Sequence, residues 1–164
     1  MKAIANVDSN WGIGCNGNLL VRIPEDMRFF KATTIGKIVV MGRETFESLP
    51  GGQPLKERTN IVLTRNEDFN PNGAIKCSSI FDLNNNLSQY NLNDVFVIGG
   101  ESVYKQLLPF CSEAYITKVE SKFDADKFFV NLDLNEAWEV VDESEVKTHN
   151  DINFRFVKYI NKKI

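Results

Sequence analysis

The sequence contains one histidine, His149, and three widely spaced cysteines, Cys15, Cys77 and Cys111, with no Cys-x-x-Cys pair. These scarcities argue against a disulfide framework, a zinc site and a catalytic triad that needs histidine. We therefore expect reduced thiols in a cytoplasmic protein. No long apolar run occurs, and the first ten residues lack the apolar centre of a signal peptide. The net charge of -3 indicates neither nucleic acid nor an anionic membrane as a partner.

The chain has 164 residues, of which 43% are hydrophobic and 25% are charged. This composition is typical of a globular protein, and the length suggests one domain with a full core. No repeat and no long linker divides the sequence. We therefore treat residues 1–164 as a single domain.

Apolar runs alternate with segments of helical pattern along most of the chain. The strand-like runs are 2–7, 37–42, 60–64, 94–100 and 113–119, and the helix-like segments are 25–34, 43–49, 79–88 and 101–108. Several runs are continuously apolar, as expected where both faces of a sheet are covered. This alternation predicts an α/β fold with a largely parallel sheet. The last part of the chain instead predicts two long strands joined near residue 150, as an antiparallel hairpin at a sheet edge.

Two turns of the type strand–glycine–helix are candidate phosphate sites. One contains Gly99 and Gly100, and the other contains Gly42, Arg43 and Thr45. Glycine allows close approach of a ligand, and the first turn of a helix offers free N–H groups. Either turn alone is compatible with an ordinary tight turn, but two in one sheet could bind the two ends of a dinucleotide. The glycine-rich segment 11–20 is compatible with a functional lid and equally with a surface loop.

Asp26 is the leading candidate for acid–base chemistry. On a helix it shares an apolar stripe with Ile23, Phe29 and Phe30. One interpretation is an ordinary acid in the first turn, which contributes about 0.3–1 kcal/mol against the helix dipole. The other is a pocket carboxylate, whose pKa burial raises and the helix end lowers. Such a carboxyl group could bind a polar heterocycle and assist its protonation.

Four segments in this order and spacing resemble one family. They are "GIGCNGNLL…IPEDMRFFK", "VVMGRETFESLP", "PLKERTNIVLT" and "VFVIGGESVY". Together they are similar to the bacterial, chromosomal dihydrofolate reductases, and the resemblance covers residues 1–160. It implies a three-layer fold with an eight-stranded, mostly parallel sheet, an antiparallel C-terminal edge hairpin and four main helices. It also implies a monomer that transfers hydride from NADPH to C6 of dihydrofolate and adds a proton at N5, and that binds antifolates.

The resemblance assigns residues to the pterin end of the substrate. Asp26 matches the family's pocket carboxylate, which bonds the pterin amide and amino groups. Thr117 matches the threonine that hydrogen-bonds this carboxylate and orients the pterin. Ile4, Phe30 and Ile98 match the walls of the pterin slot.

The resemblance also assigns the tail end of the substrate. Leu49 and Leu55 match contacts to the aminobenzoyl ring. Arg58 matches the arginine that binds the α-carboxylate of the glutamate tail in a two-pronged ion pair. A pterin with a carboxylate tail is therefore the implied substrate class.

The implied cofactor is NADPH. Gly99 and Gly100 match the pair beside the pyrophosphate, whose peptide bond is cis in the family. Arg43, helped by Arg65, would bind the 2′-phosphate that distinguishes NADPH from NADH. Ser102 stands where many members carry a basic residue and Arg65 where a serine is common, so we interpret them as an exchange of phosphate contacts. The positions that match cofactor contacts are Asn6, Ile13, Gly14, Leu19, Gly42, Arg43, Glu44, Thr45, Thr64, Arg65, Gly99, Gly100, Glu101, Ser102, Val103 and Tyr104.

The sequence departs from the family pattern near the pterin. The family usually has Leu-Pro-Trp before the Asp26 helix, where this chain has Leu19, Leu20 and Val21. Asn6 stands where a small alanine is usual, and we expect it to add a polar contact at the cofactor amide. These departures bear on the lid and on antifolate sensitivity.

Two other functions remain open from the sequence. One is a reductase of the same fold that acts on a ribosylamino-pyrimidine in flavin biosynthesis, against which Asp26 and Arg58 argue. The other is a nucleotide-binding module without catalysis, for which the altered lid is the only support. A substrate panel separates the first from dihydrofolate reduction, and cofactor binding without turnover is the mark of the second.

Overall fold

The computed structural model describes residues 1–164 and contains strands, four α-helices and short 3-10 turns. The strands are β1 (Lys2–Val7), β2 (Gly12–Cys15), β3 (Asn18–Leu19), β4 (Ile38–Gly42), β5 (Thr59–Leu63), β6 (Ile75–Cys77), β7 (Val95–Gly99), β8 (Glu113–Val119), β9 (Lys127–Phe128), β10 (Trp138–Glu143), β11 (Lys147–His149) and β12 (Ile152–Asn161). The helices are α1 (Pro24–Thr34), α2 (Arg43–Ser48), α3 (Ile80–Leu87) and α4 (Glu101–Leu107). None of these helices has the length and apolar character needed to cross a membrane.

The main sheet has the strand order β10-β12-β8-β1-β7-β4-β5-β6, and β11 also pairs with β12. Strands β1, β4, β5, β6, β7 and β8 are parallel to one another, whereas β12 is antiparallel to β8 and β10. The α/β fold with a mostly parallel sheet and an antiparallel edge is thereby confirmed. Each strand and helix predicted within residues 1–119 is present, with ends that differ from the prediction by at most one residue, and in the parallel part of the main sheet the prediction missed the short strand β6.

The C-terminal hairpin differs from its prediction in one respect. A single long strand, β12, pairs with two shorter ones, β10 and β11, instead of one. Asn150 and Asp151 form the turn between β11 and β12, and both have positive φ angles, of 47° and 63°. Asparagine and aspartate tolerate this conformation better than most residues. The turn near residue 150 is therefore correct, but the strand before it is interrupted.

The apolar strands are buried on both faces, and alternate side chains belong to different clusters. In β1, Ala3 and Val7 lie in the larger core cluster, whereas Ile4 lies in a second cluster on the opposite face. In β4, Val40 and Val39 divide in the same way. This accounts for the continuously apolar runs, because a central parallel strand has no face left for water. The same alternation assigns each side chain of β1 and β8 to one face of the sheet, and the candidate site lies on one of these two faces.

The segment 11–20 forms regular structure that the sequence interpretation as a loop missed. Strands β2 and β3 form a hairpin, and β9 joins it to make a separate three-stranded sheet. Asn16 and Gly17 lie at its tip with φ angles of 50° and 77°. Asn-Gly is the preferred pair for a two-residue hairpin turn, so a local signal for this hairpin was present.

Candidate active site

A cavity of about 870 Å³ opens at the carboxyl ends of β4, β5 and β7. The hairpin β2–β3 and the first turns of α2 and α4 form its walls. The structure brings together here all the residues that the resemblance assigned to the cofactor, namely Asn6, Ile13, Gly14, Leu19, Gly42, Arg43, Glu44, Thr45, Thr64, Arg65, Gly99, Gly100, Glu101, Ser102, Val103 and Tyr104. The carboxyl edge of a parallel sheet is the usual place for a ligand in α/β folds.

The two glycine turns pack directly against each other beside this cavity. A Cβ atom at Gly100 would lie 3.3 Å from Thr45 Oγ1, and one at Gly42 would lie 3.2 Å from Val103 Cγ2. Gly99 has a φ of 127°, which residues with a side chain rarely adopt. The peptide bond between Gly99 and Gly100 is cis. Glycine is therefore required here by close packing as well as by backbone conformation.

Three of the side chains that line the cavity are basic. Arg43, Arg65 and Lys127 all line it. Arg43 Nη1 donates to both carboxylate oxygens of Glu47, at 3.0 Å each. This pair is exposed, so it contributes little stability and can exchange for a ligand phosphate. Lys127 was not among the sequence candidates.

The segment around β9 is bound to the β2–β3 hairpin and to α4 by hydrogen bonds between distant parts of the chain. The backbone N–H of Asp126 donates to Gly14 O at 3.0 Å, and its carboxylate accepts from the N–H of Asn16 at 2.9 Å. Glu101 Oε1 accepts from the N–H of Phe128 at 3.1 Å. No local sequence pattern could have identified Asp126 or Lys127, because they meet residues more than a hundred positions away.

Asp26 lies in the first turn of α1 and is bonded by two neighbouring strands. Thr117 Oγ1 donates to Asp26 Oδ1 at 2.5 Å, and Asn6 Nδ2 donates to Asp26 Oδ2 at 2.9 Å. Asn6 in β1 and Thr117 in β8 are partners in the parallel register, so their side chains point to the same face. Pro24 begins the helix, where its missing N–H is not needed. The structure thus favours the pocket interpretation of Asp26 over the helix-end interpretation.

Burial raises the pKa of Asp26 above its ordinary value of 3.8. The hydrogen bonds from Asn6 and from Thr117 act in the opposite direction, because they stabilise the ionised carboxylate. The net effect is a raised pKa. Asp26 is therefore a carboxyl group whose charge is made costly by its surroundings, a property that is frequent at functional sites.

We expect the Asp26→Asn variant to melt at a higher temperature than the unmodified protein at neutral pH. A folded-state pKa above the unfolded value means that the carboxyl group favours folding at low pH, and this contribution is lost as pH rises through the folded pKa. The new amide can accept from Asn6 and donate to the Thr117 hydroxyl. Calorimetry at several pH values tests this: the difference in melting temperature should shrink towards acid pH, and a difference independent of pH would contradict the assignment.

An apolar wall adjoins Asp26 on the same face of the sheet. Ile4 belongs to the buried cluster there, and the partly buried residues packed against that cluster include Phe30, Leu49, Leu55 and Ile98. Ile98 also lines the cavity, so the wall and the cavity share a boundary. The wall thus contains every apolar residue that the resemblance assigned to the substrate.

Arg58 precedes β5 and lies beside the end of α1. Its Nε donates to Lys56 O at 2.9 Å, and its Nη1 donates to Thr34 Oγ1 at 3.1 Å. These bonds fix the guanidinium group, and Nη2 makes no hydrogen bond within the protein. Arg58 is therefore held in place with donors still available to an anion.

Comparisons with known proteins agree with this geometry. The family model described as "Dihydrofolate reductase" matches residues 1–161. A dihydrofolate reductase of Bacillus subtilis is 35% identical over 159 residues, covering 95% of this chain and 91% of the relative. One of Staphylococcus aureus is 36% identical over 154 residues, covering 92% and 91%. The structure of a dihydrofolate reductase from Enterococcus faecalis, complexed with NADP(H) and RAB-propyl, has a TM-score of 0.86 and 34% identity and covers 98% of this chain and 95% of that one. The chain belongs to the dihydrofolate reductase family.

Proposed function

We propose that this protein reduces dihydrofolate to tetrahydrofolate with NADPH. The observation that carries the proposal is the half-buried Asp26, bonded by Asn6 and Thr117. An apolar wall that suits a flat heterocycle lies on the same face of the sheet, and Asn6, the partner of Asp26, lines a large cavity that suits a dinucleotide. Membership of the family and the NADP(H) complex of the Enterococcus faecalis relative support it.

The residues of the cavity fit NADPH. Its volume of about 870 Å³ lies in the range of sites for ligands of this kind. Arg43, Arg65 and Lys127 offer positive charge for the phosphates, and Thr45 and Ser102 offer hydroxyl donors. Ile13, Leu19 and Tyr104 would cover the nicotinamide end, and the Tyr104 hydroxyl is already satisfied by Ile4 O at 2.7 Å. When bound, NADPH supplies the hydride that reduces the pterin.

The protein's own contribution is to place the substrate against the cofactor and to favour its protonation. Asp26 would accept N–H groups of the pterin, and the wall of Ile4, Phe30 and Ile98 would exclude water from its face. Holding the reactants at near-attack distance contributes about 7–11 kcal/mol of the barrier in favourable cases. The negative charge of Asp26 would stabilise a proton at N5 electrostatically.

The test is the loss of NADPH absorbance after dihydrofolate is added to the purified protein. We expect rapid turnover with dihydrofolate and none with a ribosylamino-pyrimidine, since that substrate has no carboxylate tail for Arg58. Turnover of the pyrimidine alone would identify the other reductase of this fold. Binding of NADPH without any turnover would identify a non-catalytic module.

We expect Arg65→Ala to raise the Kd for NADPH about tenfold and to leave the Kd for NADH unchanged. A charge-assisted hydrogen bond to a phosphate contributes about 1.5–3 kcal/mol, and only NADPH carries the 2′-phosphate. Arg43→Ala should act in the same direction. Fluorescence titration with both cofactors measures the effect, with Arg28→Ala, an exposed change outside the cavity, as control. Loss of preference in Arg43→Ala alone would remove Arg65 from the 2′-phosphate site.

We further propose that the chain acts as one domain, residues 1–164, and as a cytoplasmic monomer in one-carbon metabolism. Substrate and antifolates would share the wall beside Asp26, and neither nucleic acid nor a membrane is expected as a partner. The net charge of -3 and the scattered cysteines support this proposal. Sedimentation at micromolar concentration tests the monomer.

A further inference from the structure

Asn6 lies where the two halves of the site meet. It lines the cofactor cavity, and its side-chain amide donates to the carboxylate of Asp26 at 2.9 Å. Thr117 donates to the other oxygen of the same carboxylate. Each oxygen of Asp26 therefore has one donor from the protein, and the two donors come from adjacent strands paired in register.

We propose that Asn6 is a positioning residue for Asp26, which fixes the plane of this carboxylate before the heterocycle binds. The inference rests on the proposed function for its consequence in catalysis. Its structural part concerns the protein alone. It can therefore be tested without turnover.

Two donors constrain the carboxylate more than one. With Thr117 alone, the carboxylate could turn through a limited angle about its Cβ–Cγ bond, because the Thr117 hydroxyl can follow the one oxygen that it binds. With Asn6 on the second oxygen, such a rotation breaks at least one bond, so the plane is defined. An ionised carboxylate has about four acceptor sites, of which two are then occupied. The acceptor sites that remain, one on each oxygen, are available to a ligand edge that presents a ring N–H beside an amino group.

Asn6 also supports the ionised form without adding a charge. Its hydrogen bond stabilises the carboxylate against the cost of burial. The charges on the surrounding elements are engaged elsewhere: Glu25 of α1 pairs with Lys147, and Glu113 of β8 pairs with Lys2 of β1 and Lys158 of β12. Arg28 lies two residues along α1, on the opposite side of the helix. None of these charges contributes to the shifted pKa of Asp26.

The amide oxygen of Asn6 accepts no hydrogen bond within the protein, so it remains free for a ligand. The expectation that Asn6 contacts the cofactor amide therefore stands beside its bond to Asp26. One side chain would then join the carboxylate to the cofactor. This role requires an amide, since an aliphatic side chain of similar shape has neither the N–H donor for Asp26 nor the oxygen acceptor for the cofactor.

The experiment compares Asn6→Ala and Asn6→Leu with the unmodified protein. An NMR titration follows the Asp26 carboxyl carbon in the ligand-free protein, and the resonance is assigned by its absence in Asp26→Asn. We expect the titration midpoint to move to higher pH in both variants, because both lose the donor. In the presence of NADPH, we expect the KM for dihydrofolate to rise about 5- to 10-fold in both, with a smaller change in kcat.

Three results separate the possibilities. An unchanged midpoint in both variants would overturn the positioning role. A shift in Asn6→Ala that Asn6→Leu reverses would also overturn it, because packing alone would then explain the effect. A shifted midpoint in a protein that does not reduce dihydrofolate would retain the positioning role and overturn the proposed function instead.

Discussion

Asp26→Asn is expected to lower the rate of dihydrofolate reduction by about 100- to 1,000-fold at neutral pH. A positioned acid–base group contributes about 10²–10⁴ to a rate, and the amide keeps the shape of the carboxylate without its charge. The new amide can still accept from Asn6 and can donate to the Thr117 hydroxyl, so the fold should be preserved. Rapid-mixing measurement of the hydride step with deuterated and normal NADPH separates chemistry from product release.

The pH dependence gives a second readout for the same variant. In the unmodified protein we expect the hydride step to slow as pH rises through one apparent pKa, because protonation of the pterin becomes limiting. Asp26→Asn should lose this profile or displace it. Asp68→Asn, an exposed change in a surface loop, is the matched control and should behave like the unmodified protein. A full rate with an unaltered profile in Asp26→Asn would exclude Asp26 from the chemistry.

Arg58→Ala is expected to raise the KM for dihydrofolate about 100-fold while kcat changes much less. A bidentate pair between arginine and a carboxylate is among the stronger polar contacts, and loss of a positioned charge of this kind costs about 2–5 kcal/mol in binding. Arg58 is held by Thr34 Oγ1 and Lys56 O, so its guanidinium is oriented before the ligand arrives. Steady-state kinetics with NADPH in excess measures the effect.

A substrate without the glutamate tail provides the decisive control for Arg58. A dihydropterin with a methyl group in place of the tail should bind the unmodified protein and Arg58→Ala equally well. Lys56→Ala tests whether any nearby cation suffices, since Lys56 is exposed and contacts Arg58 only through its backbone oxygen. An equal loss of affinity for both substrates in Arg58→Ala would indicate general damage to the pocket.

The main sheet could be predicted because its signals are local. Runs such as 94–100 are apolar on both faces, and three of the four helices begin at a proline or directly after a glycine, so the alternation could be predicted from the sequence. Asp26 could be singled out for a similar reason, because it interrupts an apolar stripe on α1. The resemblance then placed Thr117 and Arg58, which no periodicity indicates.

The contacts between distant segments could not be predicted. The bond between Asn16 and Asp126 joins residues 110 positions apart, and β9 is a strand only because it pairs with Gly12 and Gly14 of β2. The bond from Asn6 to Asp26 depends on how α1 crosses β1, which a single sequence does not specify. The hairpin at Asn16 and Gly17 is local, and its turn residues could have indicated it, but the sequence analysis interpreted this segment as a lid or a surface loop.

Because Asn6 and Thr117 are paired in register, the geometry of the pocket depends on the number of residues in β1 and in β8. Side chains alternate along a strand, so insertion or deletion of one residue within β1 would turn Asn6 to the opposite face and bring an apolar neighbour towards Asp26. The same applies to Thr117 in β8. Insertions and deletions among relatives should therefore occur in the connections between strands. Insertion of an odd number of residues inside either strand should remove the donor to one carboxylate oxygen of Asp26, although the sheet itself can still form.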